Sequence, residues 1–144
     1  PFTLRFIAFG AEEVGLFGSR FHVDSLSTDE REDIVAMLNF DALGTGDGTG
    51  VFGSFDLTGR VVDYGSANGI EVERRFDLGG GGSDHAPFAA VGIPAIFFLA
   101  DDFSRINSPL DTIEFVQPEM LGGAAAAAEA LLRSEEFAAW IRNQ

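Results

Sequence analysis

Phe6-Ile-Ala-Phe-Gly10-Ala-Glu12-Glu13-Val-Gly15-Leu-Phe-Gly18-Ser19 decides how this 144-residue chain is read. An apolar run ends in two adjacent carboxylates, and helical patterning follows at once. In open α/β sheets, ligands and chemistry collect at the carboxyl ends of the strands, which is where such an acidic pair would sit. Ile34-Val-Ala-Met-Leu-Asn39-Phe40 repeats the arrangement and leads into Asp41 and Gly44. If the two strands are parallel neighbours, Glu12, Glu13 and Asp41 converge on one rim of the sheet. Converging carboxylates, usually with histidines, hold hard or borderline cations such as zinc. A structural role for the pair also exists, because acidic residues at a helix start suit its dipole.

Working outward, residues 3–9 are expected to form a buried strand, followed by a helix from Gly15 to Leu26 with Leu16, Phe17, Phe21 and Val23 facing inward. His22 lies among Arg20 and Asp24 and is expected to be solvated. Ser27-Thr28-Asp29-Glu30 signals a short capped turn. Residues 34–40 are apolar enough for a central parallel strand. Asn39 and Asp41 flank Phe40 and so share one side of it. Gly44-Thr-Gly-Asp-Gly-Thr-Gly50 lacks the Lys-Ser/Thr ending of a phosphate-binding loop and is expected to be a flexible loop near the site. Val51-Phe52 begins a short strand. Leu57–Asn68 reads as a helix with Leu57, Val61, Val62 and Tyr64 on one face, ended by Gly69. Ile70–Phe76 alternates like an edge strand.

Four glycines then run into Ser83-Asp84-His85 and a short apolar helix, Ala86–Val91. Adjacent residues cannot make a catalytic triad, which needs three positions brought together in space. His85 is placed near the site, with a helix-capping network as the structural alternative. Ala95–Leu99 is a further buried strand, with Asp101 and Asp102 expected to be solvated at its end. Residues 103–110 are expected to be irregular. A last helix is expected from Pro118 to near Arg142, with Leu121, Ala124, Ala125, Ala128, Leu131 and Leu132 as its apolar stripe and the alanine run lying close against the sheet. The alternation of strands and helices gives an α/β fold with four main strands.

The formal charge of −14 argues against nucleic acid, which needs a basic patch. All nine cations are Arg, and the absence of Cys excludes disulfides and thiolate chemistry. No stretch of 18 or more apolar residues lacks charges, so no transmembrane helix is expected. A start at Pro1, with strand-like sequence almost at once, suggests a processed or excised piece. Fifteen Phe with many Ala and Val supply a core for one domain.

Four blocks carry a resemblance. They are Phe9-Gly10-Ala11-Glu12-Glu13-x-Gly15-Leu16-x-Gly18-Ser19, Asn39-x-Asp41-x-x-Gly44, Gly82-Ser83-Asp84-His85-x-x-Phe88, and Ser108-Pro109-x-Asp111-Thr112. In this order and spacing the chain resembles the M28 family of zinc metallopeptidases, matching the C-terminal portion of the catalytic domain over residues 1–144. The resemblance implies a three-layer α/β sandwich with a mainly parallel sheet, here about half of the family's. It also implies a co-catalytic aminopeptidase that hydrolyses N-terminal residues from peptides. Two zinc ions would activate a water, their charge lowering its pKa. Carried over residue by residue, Glu12 matches the general base, Glu13 a zinc-ligand Glu, and Asp41 the ligand of the other zinc. Asn39, Gly44 and Asp111 match positions that orient these ligands, and Asp84 and His85 line the cleft.

Two departures stand against it. A ligand His and a bridging Asp lie upstream in the family. Asn107 stands where the second ligand His is expected, and an amide is a poor zinc ligand beside an imidazole. Three functions stay open: an active aminopeptidase, a member that has lost peptidase activity and binds peptides or another protein, and a half-domain whose biochemistry needs its missing half. A half-sheet would expose an apolar edge, so contact with the N-terminal half, or a homodimer, is expected to cover it. An extracellular or periplasmic location is implied by the resemblance alone.

Overall fold

The computed structural model describes residues 2–76 and 82–143. Its elements are α1 (Phe17–Ser25), α2 (Thr28–Glu32), β1 (Met37–Phe40), β2 (Thr49–Gly53), α3 (Phe55–Ala67), β3 (Glu73–Arg74), α4 (His85–Ala90), β4 (Ala95–Ala100), a 3-10 turn (Ile113–Phe115), α5 (Pro118–Arg133) and α6 (Glu135–Ile141). The four strands form one sheet in the order β1-β4-β2-β3. β1 pairs with β4 and β2 with β3 in parallel, while β2 and β4 run antiparallel. The sheet is therefore mixed, with parallel pairs in the majority.

β4 is the centre. Every residue of Ala95–Ala100 is buried, and neighbours flank both its edges. Its side chains alternate between two cores, as the strand period demands. Ile96 and Phe98 point into the main core with Val51, Leu57, Val61, Ala124, Ala127, Ala128, Leu131 and Phe137. Ala95 joins a second core with Val23 of α1, Phe88 of α4 and Ile93. Phe97 and Leu99 face Phe52 on that other side. Helices thus cover both faces, which makes three layers.

Several expectations are corrected. Residues 3–9 pair with no strand among the described residues, and Leu4, Phe6 and Ile7 are exposed, Phe6 to 91%. The segment has the composition of a buried strand but no neighbour here to receive it. β1 is an edge strand rather than a central one, and Phe40 is left half-exposed, stacked on Phe98 at 4.8 Å. In α1 only Val23 and Ser19 are buried, whereas Phe17 and Phe21 face solvent. His22 is half-buried between Phe9 and Phe88, with ring centroids at 5.7 and 5.9 Å.

The last helix is two. Ser134 Oγ accepts from Phe137 N–H at 3.0 Å and starts α6, with Glu135 and Glu136 in its first turn. Ala127 is buried in place of Ala125, and α5 lies mainly on α3 rather than on the sheet. The Ile70–Phe76 edge strand shrinks to Glu73–Arg74. The expected capped turn is present, with a full capping box between Ser27 and Glu30. The glycine run at 79–81 lies outside the described residues.

The Gly44–Gly50 loop is pinned. Thr49 and Gly50 already belong to β2, and the rest is tied down by Gln117 N–H to Gly44 O (2.7 Å), Asp101 N–H to Gly48 O (3.2 Å) and Gln117 Nε2 to Gly46 O (2.7 Å). Asp47 N–H donates to Asp101 Oδ1 at 3.0 Å, so Asp101 is a loop anchor and not merely solvated. Gly46 has φ 77°, and a Cβ there would collide with the Asp101 carboxylate.

Leu57 is fully buried with Ile96 and Phe98 of β4, as its helical face predicts, whereas Phe21 is exposed to 77%. Leu57→Ala should cost about 2–5 kcal/mol in urea unfolding. Phe21→Ala should stay within about 0.5 kcal/mol.

Candidate active site

The site hangs from the carboxyl ends of β1 and β4. Asp41 N–H donates to Phe98 O at 3.3 Å and Ala100 N–H to Ala42 O at 3.1 Å, which carries the parallel ladder one step past β1. Ala42 then adopts φ 48° and turns the chain away. Asp41 Oδ2 accepts from Ser83 Oγ at 2.6 Å, and Ser83 Oγ accepts from Asn39 Nδ2 at 2.8 Å. Asn39 and Ser83 are buried, so the relay is shielded from water, and both partners of Ser83 are satisfied.

Glu12 and Glu13 part company at a tight turn. Ala11 at φ 58° and hydrogen bonds from Gly15 and Leu16 N–H to Glu12 O fold the segment back into α1. Gly18 makes the turn possible, because its N–H donates to Gly10 O at 3.0 Å and a Cβ would lie 2.5 Å from that oxygen. Glu12 is half-buried, and its carboxyl pKa is raised, first by desolvation and then by the charges of Asp41, Glu13 and Asp84. Glu13 is exposed and points elsewhere: Asn107 Nδ2 donates to its Oε2 at 2.8 Å, across 94 positions of sequence.

Asp84 and His85 begin α4 and are buried. Among the described residues, Asp84 Oδ1 and His85 Nδ1 have no hydrogen-bond partner. The His85 ring stacks on Phe97 at 5.1 Å, and Phe97 is the register partner of Asn39. Burial lowers the His85 pKa and favours the neutral imidazole, with the Asp84 charge opposing. A Cβ at Gly44 would meet Val116 and Leu121, and Asp111 is exposed, its N–H donating to Ser108 O at 3.1 Å.

Sequence reasoning missed two positioning residues. Ser83 drew notice only within the Ser-Asp-His trio, and the link to Asn39 and Asp41 depends on where α4 meets β1, which no local pattern encodes. Arg105 Nη1 donates to Asp102 Oδ2 at 3.0 Å, and its guanidinium lies 4.1 Å from the Phe115 ring. Its carbonyl accepts from Ser108 Oγ at 2.7 Å, so Arg105 braces the loop that presents Asn107 at φ 59°. The Asp102–Arg105 spacing was the available signal.

The model of peptidase family M28 matches residues 1–132. The chain belongs to peptidase family M28. Among curated relatives, "Aminopeptidase YwaD" of Bacillus subtilis is 30% identical over 165 aligned positions, covering 98% of this chain and 34% of that protein. "Leupeptin-inactivating enzyme 1" of Streptomyces exfoliatus is 39% identical over 94, covering 63% of this chain and 21% of that protein. Of solved structures, an aminopeptidase from Aneurinibacillus sp. strain AM-1 superposes with TM-score 0.73 at 30% identity, over 85% of this chain and 31% of that one. BSAP, a zinc aminopeptidase from Bacillus subtilis, gives 0.71 at 30%, over 84% and 33%. The chain spans about a third or less of the length of these relatives.

This M28 chain's own donors do not fit a two-zinc centre. Among the described residues no three His, Cys, Asp or Glu side chains gather to hold a metal. Glu13, which the resemblance makes a zinc ligand, accepts the N–H of the Asn107 amide. Nor is any described helix long and apolar enough to cross a membrane.

Ser83→Ala would strip Asp41 Oδ2 and Asn39 Nδ2 of their shared partner and should cost about 1–3 kcal/mol by chemical denaturation. Glu12 gives a pH signature. An acid whose folded pKa lies above its unfolded value stabilises the fold when protonated, and that stability is lost as pH rises from the ordinary carboxylate range through the raised pKa. Glu12→Gln should therefore be more stable than the native chain at neutral pH, by a margin that closes below that range, as followed by thermal melting against pH.

Proposed function

We propose that a protein carrying this chain within a complete M28 domain is an aminopeptidase that releases residues from the free amino ends of peptides. Glu12 carries the proposal. It is a half-buried carboxylate at the carboxyl end of the sheet with a raised pKa, and a general base works best when its pKa approaches the operating pH. Glu12 accepts the proton of the water that attacks the scissile carbonyl and passes it to the departing amine. Its neighbours Asp41, Glu13 and Asp84 give the cleft a negative potential that suits the ammonium end of a peptide. The aminopeptidase names of the relatives support the substrate class.

Zinc chemistry in such a protein would need donors beyond those of this chain. The apolar Leu4–Ile7 segment and the free edge of β1 favour burial against the N-terminal half of the domain, or against a second copy. Asn107 favours a second function, a member that binds peptides without cleaving them, because its amide occupies Glu13.

The test is Glu12→Gln in the full-length protein, assayed on aminoacyl p-nitroanilides. We expect kcat to fall about 10²–10⁴-fold with little change in KM. Peptide binding by the native protein with no turnover at any zinc concentration would replace the peptidase by the binding module.

A further inference from the structure

We infer that the Glu13–Asn107 hydrogen bond is a clasp that takes the place of one metal of an M28 centre, so that Glu13 holds no divalent cation in the complete protein. The inference rests on the aminopeptidase proposal and narrows it.

Three observations carry it. First, the contact is oriented against a cation. Asn107 Nδ2 is the donor, at 2.8 Å from Glu13 Oε2, so a partly positive N–H already lies on the carboxylate that a metal would need. An amide side chain can turn its oxygen outward, but the hydrogen bond to an ionised acceptor is then lost.

Second, the clasp is supported from both sides without a metal. The Glu13 turn is fixed by the close approach of Gly18 to Gly10, and the Asn107 loop by Arg105 bridging Asp102 and stacking on Phe115. Asn107 itself sits at φ 59°, a left-handed conformation that asparagine adopts more readily than most residues.

Third, the two halves of the site are separately wired. Asp41 is held by Ser83 and Asn39, and none of these bonds touches Glu13 or Asn107. Loss of a cation at Glu13 therefore leaves the Asp41 half intact.

The experiment is zinc content by plasma mass spectrometry after zinc loading and desalting, on the full-length protein and on its Asn107→His and Glu13→Gln variants. Circular dichroism confirms that each is folded. Histidine is also enriched at positive φ, so Asn107→His fits the backbone. We expect Asn107→His to hold about one zinc per chain more than the native protein, since an imidazole and a carboxylate suit zinc. Glu13→Gln should leave the native count unchanged.

About two zincs in the native protein would overturn the clasp while leaving the peptidase proposal standing. So would no gain in folded Asn107→His, or a loss of one zinc in Glu13→Gln. No zinc in either the native protein or Asn107→His would overturn the zinc-peptidase proposal itself, and the clasp with it. If Asn107→His does not fold, the Glu13→Gln count decides alone.

Discussion

The constraint on which the rest depends is the position of β4, buried on both faces and flanked on both edges. A strand with neighbours on both sides fixes their register, and a slip of one residue would turn every side chain to the wrong face. Here Asn39 is matched to Phe97 and Phe40 to Phe98. That match places Asp41 just past the ladder and sets His85 over Phe97. On the other side, the antiparallel pairing to β2 brings Asp101 to the loop that follows Asp41. The site is a consequence of sheet register more than of any local motif.

Backbone strain concentrates at the same rim. Ala11, Leu16, Ala42 and Asn107 are non-glycine residues at positive φ. Three of them adjoin or are candidate residues: Ala11 precedes Glu12, Ala42 follows Asp41, and Asn107 holds Glu13. At the alanines such a conformation is unfavourable by about 1–3 kcal/mol and persists only where surrounding contacts over-determine it, whereas asparagine adopts it more readily. The contacts are visible at each: the Gly10–Gly18 approach, the Ala42–Ala100 bond, and the Arg105 brace.

Much of this could be read from the sequence. The blocks that hold Glu12, Asn39, Ser83 and Ser108 carried the family resemblance, and the apolar runs at 34–40 and 95–99 pointed to the layers. What could not be read was whatever depends on a neighbour. Residues 3–9 have a strand's composition, but composition says nothing about whether a partner is present, and they lie exposed. The alanines of α5 look interchangeable, so only the packing on α3 selects Ala127 over Ala125. The break at Ser134 was legible in principle, since a serine followed by two glutamates is a helix start, but the continuing apolar stripe masked it. The family resemblance implies different roles for Glu12 and Glu13, and the structure gives the two carboxylates different neighbours, Asp41 and Asp84 for Glu12 and Asn107 for Glu13.

The pinned glycine loop has a further meaning. Residues 44–48 hang from the backbone and side chain of Gln117, and Gln117 is the residue from which α5 sets out. α5 in turn packs along α3, on the face of the sheet opposite α1 and α4. The loop after Asp41 is therefore moored to both layers at once, to the sheet through Asp101 and to the start of α5 through Gln117. A segment that composition marks as slack is a seam that joins the back layer of the fold to the front.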